Sequence, residues 1–216
     1  MAQTSGTAAH GSQRRAGTRG VPRERREQQI LDEAGAIFAR AGYYSASMDE
    51  IADSAGVSKP MVYAYFGSKE GLYVAYIERA GGELLERLVA ARSTEATPGG
   101  RLRARITEFL AFVSEHGDGW RVLFREVGST QPIAEQVAEI RERIAAAIRA
   151  MIEAGAESWP GYGPPRSDAI AHALVGAGES LANWWLDHPD VGRDQVADWY
   201  LGVVQAVLAG PRRSSG

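Results

Sequence analysis

The sequence predicts an all-α protein in which a small N-terminal domain precedes a larger helical one. Three observations lead to this fold class. Apolar residues recur every three or four positions along most of the 216-residue chain, which is the spacing of one face of a helix. Alternation of apolar and polar residues over a useful strand length is not found. Between residues 47 and 69, two short helical patterns stand only three residues apart, so two helices joined by a tight turn are expected there.

The N-terminal domain is expected to occupy residues 22–68. Its first helix runs from about Arg23 to Ala41, and the inner face of that helix is formed by apolar residues at helical spacing, namely Ile30, Leu31, Ala34, Ile37 and Phe38. Residues 1–21 are rich in Gly, Ser, Thr, Ala and Arg and have almost no large apolar groups. A disordered basic arm is therefore expected before the first helix.

The second and third helices carry the strongest local signals in the chain. Ser47 and Glu50 predict a capping box at the start of the second helix, and Gly56 is placed to end it with a positive φ. Ser58 is a suitable N-cap for the third helix, where Pro60 falls in the first turn and removes no intrahelical hydrogen bond. The inward-facing apolar residues are Met48, Ile51, Ala52, Ala55, Val62 and Phe66. Two such helices form a helix-turn-helix, whose second helix lies in the major groove of duplex DNA.

At these residues the chain resembles the TetR family of bacterial transcriptional regulators. The resemblance covers residues 25–75, about a quarter of the chain, and includes the motifs Ile51-Ala52-x-x-Ala55-Gly56-Val57-Ser58-Lys59, Val62-Tyr63-x-Tyr65-Phe66 and Ser68-Lys69-Glu70-x-Leu72. Tyr65 stands where the family more often has histidine, and the unusual pair Pro60-Met61 means that no base preference is transferred. The resemblance implies a homodimer, most often a repressor, that binds a palindromic operator and is released by a small effector.

DNA contacts are predicted from the positions of side chains on the two helices. Residues at helix starts and outer flanks are expected to contact phosphates: Ser47, Ser58, Tyr63, Tyr65 and Lys69. Residues on the outer face of the third helix are expected to lie in the groove: Lys59, Pro60, Met61 and Ala64. Lys59 has the donor for guanine O6 and N7, and the other three offer apolar contact to thymine methyl groups.

The distribution of charge agrees with a DNA partner better than the total charge does. The formal net charge is −3, but residues 1–75 carry nine Lys and Arg against eight Asp and Glu. Six arginines fall between positions 14 and 26, and phosphate attraction acts over a Debye length of roughly 8–10 Å. This run is interpreted either as an arm that reaches phosphates or an adjacent minor groove, or as a solvated tail, and both interpretations stay open.

A larger domain is expected over residues 69–210, followed by a tail at 211–216. A long helix capped by Ser68 runs to about Ala91, and Gly81-Gly82 weakens it and indicates a bend where the two domains meet. Five further helices follow the same periodicity, with Ser167 and Asp190 as the caps of the last two. Their expected ranges are 101–116, 120–127, 130 or 131–154, 167–187 and 190–210. The chain would then contain about nine helices.

The last two helices are expected to form the homodimer interface. The tight turn at 187–190 makes them antiparallel, and their apolar residues cover more than one face. Two such hairpins related by a twofold axis would form a four-helix bundle and hold two recognition helices about one DNA turn apart, roughly 34–36 Å. The expected interface residues are Leu181, Trp185, Trp199, Tyr200, Val203 and Val207. The alternative is that the surplus apolar face covers other helices of the same chain.

The middle helices supply bulky side chains for a predicted effector pocket. The resemblance implies an effector that changes the spacing of the DNA-binding domains, and such pockets are mostly apolar with a few polar groups. The expected lining is aromatic: Phe109, Phe112, Trp120, Phe124 and Trp184. Polar contacts are expected from His116, Arg125, Glu126 and His172. Plain core packing is the alternative for each of these residues, and the sequence does not identify the apolar or aromatic effector.

Other function classes find less support in the sequence. It has no cysteine, no Gly-rich phosphate loop after a strand, and no ligand spacing among its four histidines, so neither an enzyme nor a metal or cofactor site is predicted. An apolar stretch of about 20 residues and a secretory signal are both missing, so a cytoplasmic protein without a membrane partner is expected. The remaining alternatives are a helical interaction protein that does not bind DNA and an activator without a small-molecule effector. A steep loss of affinity with rising salt would favour DNA contact.

Overall fold

The computed structural model describes residues 22–91, 97–117, 119–120, 131–155 and 163–209. Within these ranges the chain is all-α, as predicted, and contains no strand. The eight helices described there are α1 (Arg23–Ser45), α2 (Met48–Ser54), α3 (Lys59–Phe66), α4 (Lys69–Ala90), α5 (Pro98–Glu115), α6 (Gln131–Ala154), α7 (Pro164–Leu186) and α8 (Arg193–Ala209). The ninth expected helix, at 120–127, falls almost entirely outside the described residues, as do the arm at 1–21 and the tail at 211–216.

Helices α1 to α3 form the expected N-terminal unit around an apolar core. All five residues of the predicted inner face of α1 are buried. The helix extends to Ser45 rather than Ala41, but Gly42 has φ 75° and ψ 166° and interrupts it with a kink. A residue with a Cβ rarely adopts that φ, so the glycine is what allows the chain to turn out of α1 toward α2. Gly56, with φ 61°, ends α2 in the predicted way.

The predicted capping box at α2 is wrong in detail. Ser47 is the N-cap, but its hydroxyl accepts a hydrogen bond from the backbone N–H of Asp49 at 3.2 Å. The Glu50 carboxylate, which was expected to reach back to the Ser47 backbone, instead pairs with the guanidinium of Arg40 on α1. An ion pair across the two helices has replaced the local contact. At α4 the cap is as predicted, because the Ser68 hydroxyl accepts from the Gly71 N–H at 2.9 Å.

Helix α4 belongs to both halves of the molecule. Its first part contributes Leu72, Tyr73, Tyr76 and Ile77 to the core of the N-terminal unit. Its second part contributes Ala80 and Leu84 to the core of the larger domain. Helix α6 also reaches the N-terminal core, through Ile133, Val137 and Ile140. The two cores are therefore joined along α4 and α6.

The bend expected at Gly81-Gly82 is absent, since α4 is continuous from Lys69 to Ala90. Gly81 instead lies against α6, where a Cβ atom on it would be 2.6 Å from Cδ1 of Ile140. The same addition at Gly82 would meet no atom within 4 Å. The first glycine is therefore a point of close helix approach rather than a hinge.

Three helix starts in the larger domain differ from the predictions. Helix α5 begins at Pro98 rather than 101, with the Thr97 hydroxyl accepting from the Gly100 N–H at 3.0 Å. Helix α7 begins at Pro164, so Ser167 is not its cap but a buried residue whose hydroxyl donates to Glu153 at 2.7 Å. Helix α8 begins at Arg193, and the carbonyl of Gly192, not Asp190, accepts its first hydrogen bonds. In α5 and α7 a proline opens the helix, where its missing N–H has no partner to lose.

The larger domain is a bundle in which α6 packs along α4 and α7, while α5 packs against α4 and α8. Helices α7 and α8 form an antiparallel hairpin, as expected from the tight turn between them. None of the helices in the described ranges combines the length and the apolar character that crossing a membrane requires.

Candidate nucleic-acid interface and ligand cavity

The outer face of α3 carries the residues predicted to lie in the groove. Lys59, Pro60 and Ala64 are exposed, and Met61 is half-buried. Tyr63 retains 41% of its accessible surface. On the opposite face Val62 is fully buried, and the half-buried Phe66 packs against the N-terminal core. The structure thus presents the predicted reading face to solvent, and contact of that face with DNA stays a prediction.

Lys59 is the one basic residue in the sequence of α3. Its ammonium lies 2.9 Å from a carboxylate oxygen of Asp49 on α2, and this hydrogen bond raises the pKa of Lys59. Both side chains are well exposed. Such a pair exchanges readily for another anion or acceptor, because water and salt screen it on both sides. The Asp49 contact therefore favours the charged form of Lys59, and its predicted contact with a base edge would require it to leave Asp49.

The flanking residues fall into two groups. The hydroxyl of Ser58 makes no capping hydrogen bond and is exposed, and Ser47 is exposed as well. Tyr65 is half-buried, and the guanidinium of Arg23 lies 5.0 Å from its ring centroid. Lys69 is also engaged within the domain, because its ammonium donates to the carbonyl of Tyr44 at 2.8 Å. Ser47, Ser58 and Tyr63 are thus more accessible to a phosphate than Tyr65 and Lys69 are.

Tyr44 is a surface residue that the sequence reasoning did not select. It follows the Gly42 kink, and its side chain retains 65% of its accessible surface. A helix-face pattern gives no signal for such a position, because the kink removes the residue from the register of α1.

A cavity of about 330 Å³ lies inside the larger domain. Its walls are side chains of α4 to α8 together with Trp120. The predicted residues Phe109, Phe112 and Trp120 are all part of this wall. The rings of Phe109 and Trp120 meet edge to face at 5.6 Å, and the Trp120 indole donates to Asn183 at 3.2 Å. Phe124, the fourth predicted aromatic residue, lies outside the described residues.

Trp184 is not among the described residues that line the cavity, so its predicted effector contact has no support from the cavity wall. Its indole stacks on the imidazole of His188 at 4.2 Å and retains 39% of its surface. The neighbouring Trp185 points inward instead, and its indole donates to the carbonyl of Val191 at 2.8 Å. A helix turns by about 100° per residue, so two consecutive tryptophans take different faces.

Two residues predicted for the dimer interface are also placed differently. Trp185 and Tyr200 are each only 9% exposed and belong to the core of the larger domain. Tyr200 lines the cavity and donates to the carbonyl of Leu174 at 2.6 Å. Burial raises the pKa of the Tyr200 hydroxyl far above its ordinary value, and a hydrogen bond with the Gly178 backbone opposes part of that rise. Leu181 is half-buried and packs against the same core.

The remaining predicted interface residues do share one surface. Trp199, Val203 and Val207 of α8 are 48%, 51% and 38% exposed, and the ring of Trp184 on α7 lies 6.3 Å from that of Trp199. We call these four residues, two tryptophans and two valines, the aromatic strip. Exposed apolar side chains that share one surface are typical of interaction sites, and the role of this strip in a dimer stays a prediction.

The polar part of the cavity wall was not predicted. Arg125 and Glu126 lie outside the described residues, and His116 and His172 are not part of the described wall. Arg101, Arg105, Glu179 and Tyr200 supply polar atoms instead. Glu179 is held by two short contacts from Arg141, at 2.8 and 2.9 Å. No group of side chains suited to a metal ion occurs among the residues that the structure describes.

Two family models match the chain. The model described as bacterial regulatory proteins, tetR family, matches residues 30–76, and the one described as tetracyclin repressor-like, C-terminal domain, matches residues 98–207. The HTH-type transcriptional activator FasR of Mycolicibacterium smegmatis is 34% identical over 195 residues, which are 88% of this chain and 84% of that protein.

Solved structures agree with this match. A TetR-family transcriptional regulator from Streptomyces coelicolor is similar with a TM-score of 0.73 and 28% identity, over 87% of this chain and 82% of that one. A TetR-like transcriptional regulator from Rhodococcus sp. RHA1 has a TM-score of 0.67 and 35% identity, over 89% of this chain and 100% of that one.

Proposed function

The chain belongs to the TetR family of bacterial transcriptional regulators, and from that premise we propose that it is a ligand-responsive regulator that binds a palindromic operator as a homodimer. The proteins it resembles are DNA-binding regulators and not enzymes. One observation carries the ligand-responsive part of the proposal: the cavity shares wall residues with the core of the DNA-binding unit. Ile77, Val137 and Ile140 belong to both.

The shape of the cavity favours an elongated apolar ligand. Its wall follows α6 from Val137 to Ile152, a distance of about 22 Å at the rise of an α-helix. A volume of about 330 Å³ spread over that length fits a slender chain better than a bulky ring system. The isoleucines of α6 and the leucines of α4 and α5 give the wall its apolar character, and the few polar groups orient the ligand.

A ligand in this cavity would act on DNA binding through α4 and α6. These helices meet closely at Gly81 and Ile140, which both line the cavity. A ligand bound beside this contact would displace the first turns of α4, which begins only two residues after the recognition helix α3. In a dimer this displacement changes the spacing of two recognition helices and therefore the affinity for the operator.

The homodimer is supported by the aromatic strip on α7 and α8. Its four residues leave large apolar side chains in water in a single chain, which a second copy would cover about a twofold axis. Light scattering at micromolar concentration gives the mass directly. A monomer under those conditions would contradict this part of the proposal.

The first experiment is to map bound genomic sites and to measure binding to the recovered operator by fluorescence anisotropy. Straight-chain saturated ligands of increasing length are then compared with a polycyclic aromatic compound. We expect a chain of matching length both to raise the melting temperature and to release the operator. If no compound in either series does both, the effector part of the proposal fails.

A cavity-filling variant tests the same idea without a ligand. Ala147 of α6 lines the cavity, whereas Ala138 of α6 is exposed. We expect Ala147→Phe to mimic a bound ligand and to lower operator affinity several-fold, while Ala138→Phe leaves it unchanged. Equal effects of the two substitutions would show that the cavity is not linked to DNA binding.

The sign of regulation has two candidates. The family resemblance favours repression, in which ligand binding releases the operator. The name of the FasR relative, a transcriptional activator, favours activation as the second candidate. Transcription in vitro from a promoter that carries the mapped operator separates them, because added protein lowers the amount of transcript in the first case and raises it in the second.

A further inference from the structure

We propose that Tyr44 is a contact to the sugar–phosphate backbone of DNA, and that Lys69 is the positioning residue that holds Tyr44 in place. This inference rests on the proposed operator binding and adds two roles to it. It also changes the prediction for Lys69, whose ammonium was expected to contact a phosphate itself.

Tyr44 is held at the surface by its neighbours. It has the largest exposed fraction of the bulky apolar side chains in the described residues, at 65%. Its ring meets that of Tyr43 edge to face at 5.4 Å, and the ring of Tyr43 lies 4.8 Å from that of the buried Tyr73. The Tyr44 ring is thus anchored on the core of the unit through Tyr43, while most of its surface stays exposed to solvent.

Lys69 fixes the backbone of Tyr44 at the start of α4. Its ammonium donates to the carbonyl of Tyr44 at 2.8 Å and lies 5.0 Å from the centroid of the Tyr43 ring. Partial burial lowers the pKa of Lys69, which agrees with an ammonium that has given up part of its hydration. An ammonium directed at a carbonyl and at an aromatic face has two of its three donor directions occupied within the protein, which disfavours a direct phosphate contact.

The position of Tyr44 suits a contact to the backbone rather than to a base. It precedes Ser47, the predicted phosphate ligand at the start of α2, by three residues. Through Lys69 it is tied to the start of α4, which follows α3 after only two residues. When α3 lies in the major groove, these segments face the flanking strand. A tyrosine there packs its ring on a sugar and donates its hydroxyl to a phosphate oxygen.

The test uses the full-length protein, the mapped operator and an unrelated duplex, with binding followed by anisotropy over a range of salt concentrations. We expect Tyr44→Ala to weaken binding to both duplexes by roughly tenfold or more, which is the scale of a hydrogen bond to a charged acceptor. Tyr44→Phe should show most of that loss. The slope of log affinity against log salt should not change, because the tyrosine is uncharged and releases no counterion. Val89→Ala, at an exposed site near the other end of α4, is the control and should bind like the wild type.

The role of Lys69 is decided by a double-mutant cycle. Lys69→Met should weaken binding in the wild-type background without changing the salt slope, and it should have no further effect in the Tyr44→Ala background. A direct phosphate contact predicts the opposite: a full effect in both backgrounds and a salt slope smaller by roughly two for a dimer. That outcome overturns the Lys69 assignment. Binding by Tyr44→Ala within twofold of wild type overturns the Tyr44 assignment. A wild-type protein that binds no DNA would instead contradict the proposed function.

Discussion

Gly81 and Gly82 stand side by side on α4 and have different surroundings. A methyl group on Gly81 would collide with three side-chain atoms of Ile140, the nearest at 2.6 Å, whereas one on Gly82 would meet nothing within 4 Å. Alanine is the better helix former by about 1 kcal/mol. At the residue scale, a glycine-to-alanine substitution is therefore expected to have opposite effects on stability at these two adjacent positions.

We expect Gly82→Ala to stabilise the protein by up to about 1 kcal/mol and Gly81→Ala to destabilise it by about 1–3 kcal/mol through overpacking. Chemical denaturation of the two variants measures both free energies of unfolding. Ile140→Ala removes all three colliding atoms, so Gly81→Ala should cost less in that background. Equal effects at the two glycines would contradict the close approach of α4 and α6.

Tyr200 gives a prediction about pH. Burial raises the pKa of its hydroxyl in the folded state, while the unfolded chain titrates near 10. As the pH rises above about 10, the unfolded state releases this proton and the folded state keeps it. The contribution of the Tyr200 hydroxyl to the free energy of unfolding is therefore fully present below pH 10. Above pH 10 it is lost, by up to about 1.4 kcal/mol per pH unit.

Tyr200→Phe should remove that loss. Denaturation at pH values on either side of about 10 should show a flatter dependence for the variant than for the wild type. Burial also raises the pKa values of Tyr43 and Tyr76, so part of the dependence should remain. Identical pH dependences would show that the Tyr200 hydroxyl reaches water in the folded protein. Below pH 10 the variant should be less stable than the wild type by about 1 kcal/mol, because it lacks the hydrogen bond to the Leu174 carbonyl.

At the element scale, the side chain of Tyr76 on α4 packs closely against both α1 and the segment at Gly119. Tyr76 of α4 lies so close to Gly35 of α1 that a Cβ on the glycine would be 2.7 Å from its ring. A Cβ on Gly119, next to the cavity residue Trp120, would collide with the Tyr76 hydroxyl. The ring therefore fills the space between the DNA-binding unit and the wall of the cavity.

We expect Gly119→Ala to push Tyr76 against α1 and to change operator affinity several-fold. Tyr76→Phe removes the colliding hydroxyl oxygen, so the double variant should bind nearly as the wild type does. Anisotropy with the mapped operator gives all four affinities. An effect of Gly119→Ala that persists in the Tyr76→Phe background would place the cause outside this contact.

The sequence predicted the helices more accurately than the residues at which they begin and end. Apolar spacing identified α1 to α8 because each buries a single stripe, as Ile30, Leu31 and Phe38 do in α1. Starts were predicted less accurately: α5 begins at Pro98 after a Thr97 cap that the pattern did not identify, and α7 begins at Pro164 without a side-chain cap. The predicted capping box at Ser47 and the predicted bend at Gly81 were both wrong because of contacts with other helices. Glu50 pairs with Arg40 of α1. Gly81 packs against Ile140 of α6.

At the scale of the whole molecule, the adjacent tryptophans of α7 separate assembly from folding. Trp184 belongs to the exposed aromatic strip, and Trp185 belongs to the core. We expect Trp184→Ala to weaken dimerisation and operator binding while leaving the unfolding of the single chain nearly unchanged. Trp185→Ala should destabilise the fold by about 3–5 kcal/mol.

Light scattering and thermal unfolding distinguish the two variants. A Trp184→Ala protein that stays dimeric down to nanomolar concentrations would exclude the strip as the main interface. The sequence predicted a surplus apolar face on α7 and α8, but it assigned the core residue Trp185 to the interface and the exposed Trp184 to the cavity. Helical periodicity allows either tryptophan to face inward. In the structure Trp185 does so, and its indole donates to the carbonyl of Val191.

The cavity was predicted from its aromatic residues, yet aliphatic side chains form most of its wall. Phe109, Phe112 and Trp120 are there, but the isoleucines of α6 that also line the cavity were not predicted to do so. A sequence pattern does not distinguish a filled core from a lined space, because both use the same apolar stripe. Only the distances between α4, α5 and α6 separate the two cases.

The core shared along α4 and α6 has a consequence for protein engineering. Residues 22–68 match the usual description of a DNA-binding domain, but they bury their apolar faces partly on Leu72, Tyr73, Val137 and Ile140, which lie beyond that boundary. A chimera joined at residue 68 would leave that part of the core to a foreign partner. Exchange of operator specificity between relatives should therefore succeed when only the outer face of α3 is transplanted, and fail when the first three helices are moved as a cassette.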